Sequence, residues 1–159
     1  MGQMRPATEA DLLPILSDLR DADRAEIKAF TGCPAEFICP SVFQVSDRVW
    51  TLVARNGDLV GMVGTHSVVG APDFGCVWMF ASNKITKHRM EFLRASKGAL
   101  SEIHKLYPAL TNYVDARNTL HINWLRWLGF TFLRRIEKYG AESLPFYEFV
   151  RLAPCAPPS

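Results

Sequence analysis

Apolar residues recur along this chain with two periods, and the switches between them mark out the elements. Met4 to Ala7 reads as a short strand. Thr8 follows as a helix N-cap, with Asp11 three residues on in the place of a capping box. Leu12, Ile15, Leu16 and Leu19 then fall at helical spacing, and Pro14 sits in the first turns, where a missing N–H matters least. A second helix runs from about Ala22 to Phe30, ended by Gly32 and Pro34. Val49 to Ala54 is β-rich, Asn56-Gly57-Asp58 is a hairpin turn, and Leu59 to Val69 is the returning strand. Gly61 and Gly64 within it allow a close backbone approach or a bulge. Ala71-Pro72-Asp73 reads as the next turn. Phe74 to Ala81, nearly all apolar, reads as a central strand buried on both faces.

From Thr86 to Tyr107 the period becomes helical: Phe92, Leu93, Ser96, Leu100, Ile103 and Leu106 share one stripe. Pro108 stops that helix and Leu110 to Val114 forms a strand. Asn118 to Leu128 is a helix with Gly129 as its C′ glycine, and Phe130 to Glu137 and Phe146 to Leu152 are the last two strands. Helices interleaved with a mixed sheet make this an α/β chain.

Composition narrows the picture without changing it. The chain has 159 residues, 48% apolar and 21% charged, which predicts one packed domain over residues 1–152. Residues 153–159 read as a Pro-rich, flexible tail. A net charge of +2 does not point to nucleic acid. The four cysteines have no zinc spacing, and they read as free thiols rather than as a Cys33–Cys39 disulfide. No metal is expected. Neither a signal peptide nor a membrane span is visible, so the cytoplasm is the expected compartment.

One stretch carries a family pattern: Asn118, then Gly129-Phe130 eleven residues later, following the fifth strand. With Arg5-Pro6-Ala7-Thr8-Glu9-Ala10-Asp11 at the start and Leu59-Val60-Gly61-Met62-Val63-Gly64 in the third strand, it resembles the GNAT (GCN5-related N-acetyltransferase) superfamily over nearly the whole chain. Asn118 and Gly129 also read simply as a helix cap and stop. The resemblance implies a mixed twisted sheet of about six to seven strands, splayed between the fourth and fifth and flanked by about four helices. It implies acetyl-CoA or another acyl-CoA as co-substrate and an amine of a small molecule or protein as acceptor. A possible homodimer stays open.

Two family features are missing. The glycine-rich pyrophosphate turn after the fourth strand is replaced by Ser82-Asn83-Lys84-Ile85-Thr86-Lys87-His88-Arg89. Leu125 stands where the family carries its acid, a tyrosine seven residues after the Asn. Lys84, Lys87, His88 and Arg89 crowd a predicted helix start, against its dipole, which makes sense if an anion completes the site; they could equally splay into water. With the backbone of Met79, Phe80 and Ala81, and with Asn118, they form the expected cofactor-binding set. Arg94, Lys97 and Arg117 are candidates for the 3′-phosphate. His121, Asp115 and Tyr139 are the candidate catalytic groups, with Tyr113 as an alternative acid, and Glu26 is placed at the acceptor. His121 also reads as a structural histidine, and Trp124 and Trp127 as packing aromatics.

A looser resemblance joins His88-Arg89-Met90-Glu91-Phe92-Leu93-Arg94 with His121, Trp124-Leu125 and Gly129-Phe130. These segments look like GNAT-like proteins of podovirus-type bacteriophages. It implies a second reading: a catalytically degenerate, phage-encoded protein that binds a bacterial host protein or forms part of the virion.

Overall fold

The computed structural model describes residues 2–155, so residues 156–159 of the expected tail lie outside the described residues. Seven strands form one sheet: β1 Gln3–Pro6, β2 Arg48–Val53, β3 Leu59–Val68, β4 Ala71–Ala81, β5 Ala109–Asp115, β6 Thr131–Tyr139 and β7 Leu144–Leu152. Their spatial order is β1-β2-β3-β4-β5-β7-β6. Five helices flank it: α1 Leu12–Ser17, α2 Asp21–Thr31, α3 Ala35–Val45, α4 Arg89–His104 and α5 Thr119–Trp127. Every neighbouring pair is antiparallel except β4–β5, where α4 makes the crossover that parallel strands require. No helix among the described residues is long and apolar enough to cross a membrane.

The pleat sends alternate side chains to two cores. From β3 and β4, Val63, Val77 and Ala81 join Phe92, Leu100 and Ile103 of α4 and Leu125 of α5. Met62 and Phe80 point the other way, onto Leu12, Ile15 and Leu16 of α1 and Cys39 of α3. The sheet is thus covered on both faces.

Several local expectations need correction. Residues 35–45 form α3, where the sequence pattern shows only a stop. Pro34 is extended and precedes the first turn, so it starts the next helix rather than only ending the last. Pro40 lies inside α3, and the carbonyl it cannot bond belongs to exposed Glu36. The β3–β4 turn lies at Val69-Gly70, with Gly70 at φ 79°, so Ala71 to Asp73 already belong to β4. Residues 83–86 form a 3-10 turn and α4 starts at Arg89 with Glu91 in its first turn. Of the four basic residues expected against the dipole, only Arg89 is inside the helix. All four cysteines are free thiols.

Candidate functional site

The feature that organises the site is the divergence of β4 from β5. Their ladder holds only Phe74 to Cys76 against Ala109 to Thr111, although both strands continue. Beyond that point the facing backbone groups have lost their partners and must find others. Ser82 N–H donates to Val60 O at 2.8 Å, so the even-numbered residues of β4 bond β3 and Val77, Met79 and Ala81 face the split. Asn112 of β5 reaches across the narrow end, its Nδ2 donating to Val77 O at 2.8 Å.

The wide end is bridged from α2. Ala81 N–H donates to Asp23 Oδ2 at 3.0 Å, and Asp115 N–H, at the end of β5, donates to Glu26 Oε2 at 2.8 Å. Two carboxylates one helical turn apart therefore hold the ends of both diverging strands. Arg20 donates to Asp23 Oδ1 at 3.0 Å, and its backbone N–H bonds Ala81 O at 3.0 Å. Asn118 Nδ2 donates to Asp23 Oδ1 at 3.0 Å and to Glu26 Oε2 at 3.4 Å, while its Oδ1 accepts from Arg20 at 3.3 Å. Asn118 precedes α5, yet its side chain makes no cap. Burial pushes the Asp23 carboxyl above its ordinary range, against the pull of Arg20, His121 and the Ala81 N–H. Met79 is left as the residue of this edge whose backbone N–H and C=O have no partner among the described residues.

Two hollows meet at the split. On the α2–α3 side lies a cavity of about 310 Å³, lined by Glu26, Phe30, Ile38, Trp78, Tyr113 and His121 among others. On the α4–α5 side is a crevice of about 30 Å³ against Val77, Met79, Ser96, His121 and Leu125. His121 borders both. It is buried, and its Nδ1 lies 3.5 Å from Glu26 Oε1, an ion-pair distance that is long for a hydrogen bond. That nitrogen has no hydrogen-bond partner among the described residues.

The other candidates are placed differently. Asp115 is buried and engaged by Arg117, whose Nε and terminal nitrogen lie 3.0 and 2.6 Å from its two oxygens. Tyr139 stacks on Tyr113 at 4.4 Å, with its hydroxyl pushed up to about 12 chiefly by burial. Neither lines the cavity, whereas Tyr113 does. Lys84 and His88 both meet Asp58, at 3.3 and 3.1 Å, and His88 also meets Glu91 at 3.2 Å. Lys87 and Arg89 form no ion pair among the described residues. Lys97 lies over the Trp127 ring at 4.2 Å. Among the described residues no three His, Cys, Asp or Glu side chains gather as a metal site. The sequence reading missed Arg20, Asp23 and Asn112.

Solved structures superpose on this chain nearly end to end. A GCN5-related N-acetyltransferase from Kribbella flavida matches with TM-score 0.72 and 15% identity, covering 96% of this chain and 98% of its own. The fold is that of the GNAT acetyltransferases. A ribosomal-protein-alanine N-acetyltransferase from Brucella melitensis gives TM-score 0.72 at 16% identity, over 94% and 99% of the two chains. An aminoglycoside acetyltransferase in complex with coenzyme A gives TM-score 0.68 at 13% identity, over 96% and 95%. Residues 58–136, from the hairpin before β3 into β6, match the family model described as bacteriophage T7, probable scaffold protein Gp13. No curated protein matches the sequence.

The GNAT frame fits an acyl-CoA in part. The split, the free Met79 edge and the crevice beside His121 suit an extended thioester arm. The wide end is closed by Asp23 on Ala81. In the turn after β4, the N–H groups of Asn83, Ile85, Lys87 and His88 bond carbonyls of the chain itself, so they form no open cradle for a diphosphate.

Proposed function

We propose that this chain is a GNAT-type N-acyltransferase that uses an acyl-CoA, acetyl-CoA first, to acylate an amine of a small molecule or protein in the bacterial cytoplasm. The observation that carries the reading is His121, which borders both hollows and stands 3.5 Å from Glu26. When bound, the thioester supplies the electrophilic carbonyl. Glu26 and His121 take the proton that an acceptor ammonium must lose before it attacks. With Leu125 in place of the family's tyrosine, His121 is also the group in the crevice able to return a proton to the leaving sulfur. The aromatic walls of the cavity orient the acceptor and exclude water. Lys87 and Arg89 are the cations left to meet the diphosphate, and the Met79 backbone is the free strand edge for the pantetheine amides. The test is release of free coenzyme A thiol from acetyl-CoA with a panel of amines. Turnover is expected, falling roughly 10²- to 10⁴-fold in His121→Ala. Absence of turnover with every amine, together with no calorimetric binding of acetyl-CoA at millimolar concentration, overturns the reading.

A second reading is favoured by the match to the T7 Gp13 model and by the engagement of Lys84 and His88 with Asp58. In it the chain is a phage-encoded GNAT-fold protein without turnover that binds a host protein or takes part in the virion. Recovery of one specific host or virion protein on the immobilised chain, with no response to acetyl-CoA, is its expected result.

A further inference from the structure

The carboxylates of α2 occupy the place where a ligand of this fold would sit. A diverging parallel pair leaves N–H groups on both lips, and an extended arm laid along β4 would satisfy those of Met79 and Ala81. Asp23 already takes the Ala81 N–H, and Arg20 already takes the Ala81 carbonyl. Glu26, one turn on, takes the N–H of Asp115 on the other lip, and Asn118 ties the two carboxylates together. The crevice on the α4–α5 side, about 30 Å³, is far smaller than the roughly 300 Å³ at which ligand pockets begin, and the hollow of about 310 Å³ on the α2–α3 side is the one assigned to the acceptor.

We infer that Asp23 of α2 is a built-in gate, a self-ligand whose carboxylate keeps the wide end of the split shut and must leave the Ala81 N–H before an acyl-CoA arm can lie there, while Glu26 stays beside His121. The inference rests on the acyltransferase reading. It gives the Asp23 side chain two positions. The docked carboxylate is held by Arg20, Asn118 and the Ala81 N–H, and in the released position that N–H is free. Only the released form binds, so the apparent affinity is the intrinsic one reduced by the released fraction. The one charge-assisted hydrogen bond to the Ala81 N–H accounts for a factor of roughly 10 to 100 in that fraction.

The gate is tested with the whole chain by pairing amide hydrogen exchange with calorimetric titration of acetyl-CoA. In Asp23→Ser the side chain is too short to reach Ala81. The Ala81 amide should exchange roughly 10- to 100-fold faster than in the wild type, and acetyl-CoA should bind tighter by the same factor. Asp23→Asn keeps the volume and one acceptor oxygen; it should fall between the two and serves if the serine variant does not fold. Equal binding by wild type and variants, with the Ala81 amide equally protected, removes the gate and leaves the acyltransferase reading intact. Binding by none of them removes both.

Discussion

Asn118 offers a sharp test, because its residue type suggests one role and its contacts another. As a helix cap it would be replaceable by Ser or Asp, which cap equally well. In the structure it makes no cap; it donates to Asp23 at 3.0 Å and to Glu26 at 3.4 Å, and accepts from Arg20. Losing a hydrogen bond to a buried charge costs about 1.5–3 kcal/mol. The longer contact adds little, so Asn118→Ala and Asn118→Ser should each lose about 2–3 kcal/mol. Asn118→Asp puts a third carboxylate beside two others. At about 4 Å and an effective dielectric of about 20 the repulsion is about 4 kcal/mol. The new carboxyl escapes it by keeping its proton, at about 1.4 kcal/mol per unit by which its pKa rises. Its folded pKa then lies above its unfolded one, so the folded state binds more protons and this variant gains stability as pH falls from 7 to 5. Urea unfolding followed by circular dichroism at both pH values reads the order. At pH 7 the wild type should stand highest, Ser and Ala together below it, and Asp lowest. A Ser or Asp variant within about 0.5 kcal/mol of wild type would show that capping was the role after all.

Three further outcomes follow from contacts elsewhere. A Cβ at Gly64 would lie 2.3 Å from the Trp78 ring, so Gly64→Ala must displace an indole that donates to Ser46 at 2.9 Å and stacks on Phe80 at 5.2 Å. The loss should be about 2–4 kcal/mol in urea unfolding, with a shift in tryptophan emission. Burial raises the thiols of Cys39 to about 12 and Cys76 to about 11, while Cys33 and Cys155 are exposed, so a thiol reagent at pH 8 should label the latter two at least about a hundredfold faster. The Arg5 guanidinium holds the Asp11 carboxyl well below the usual range, against burial and with help from the Thr8 N–H and the Thr51 hydroxyl. This stability is present above the unfolded pKa of about 4 and is lost as pH falls through the folded one, so Asp11→Asn should flatten the acid limb of the stability curve below about pH 4.

The strands were legible because each carries its own signal. The Asn56-Gly57 turn, the apolar run of β4 and the glycines of β3 are local features, and a Cβ at Gly61 would indeed meet the Phe80 carbonyl at 2.8 Å. The α3 helix was not legible, since two prolines mark it as broken and only its packing shows otherwise. Cys39 and Ala35 are buried beneath it, against Phe80 and α1. Tertiary burial outweighed local propensity there. In the same way the start of α4 was misplaced: the pattern predicts helix from Thr86, but the chain first pauses in a 3-10 turn over Asn83–Thr86, where Asn83 N–H bonds Asp18 O at 2.9 Å, and α4 begins at Arg89.

The site was half visible for a physical reason. His121 and Glu26 could be named from residue type, because a histidine near an expected cleft and an acid on a flanking helix already suggest proton chemistry. Asp23 could not, because an acidic residue in the first turn of a helix is what the dipole favours anyway. The demand it answers arises only when β4 and β5 part, 58 residues from it along the chain, as the one Glu26 answers lies 89 residues away, and no sequence window holds either pair. Asn112 was the nearest thing to a signal. An amide beside Leu110 and the β-formers Thr111, Tyr113 and Val114 is out of place for β structure, and it sits where the ladder with β4 ends. A polar residue of poor β propensity inside a central strand therefore marks where that strand loses its neighbour, and the groups that replace the neighbour must come from whichever helix covers the gap.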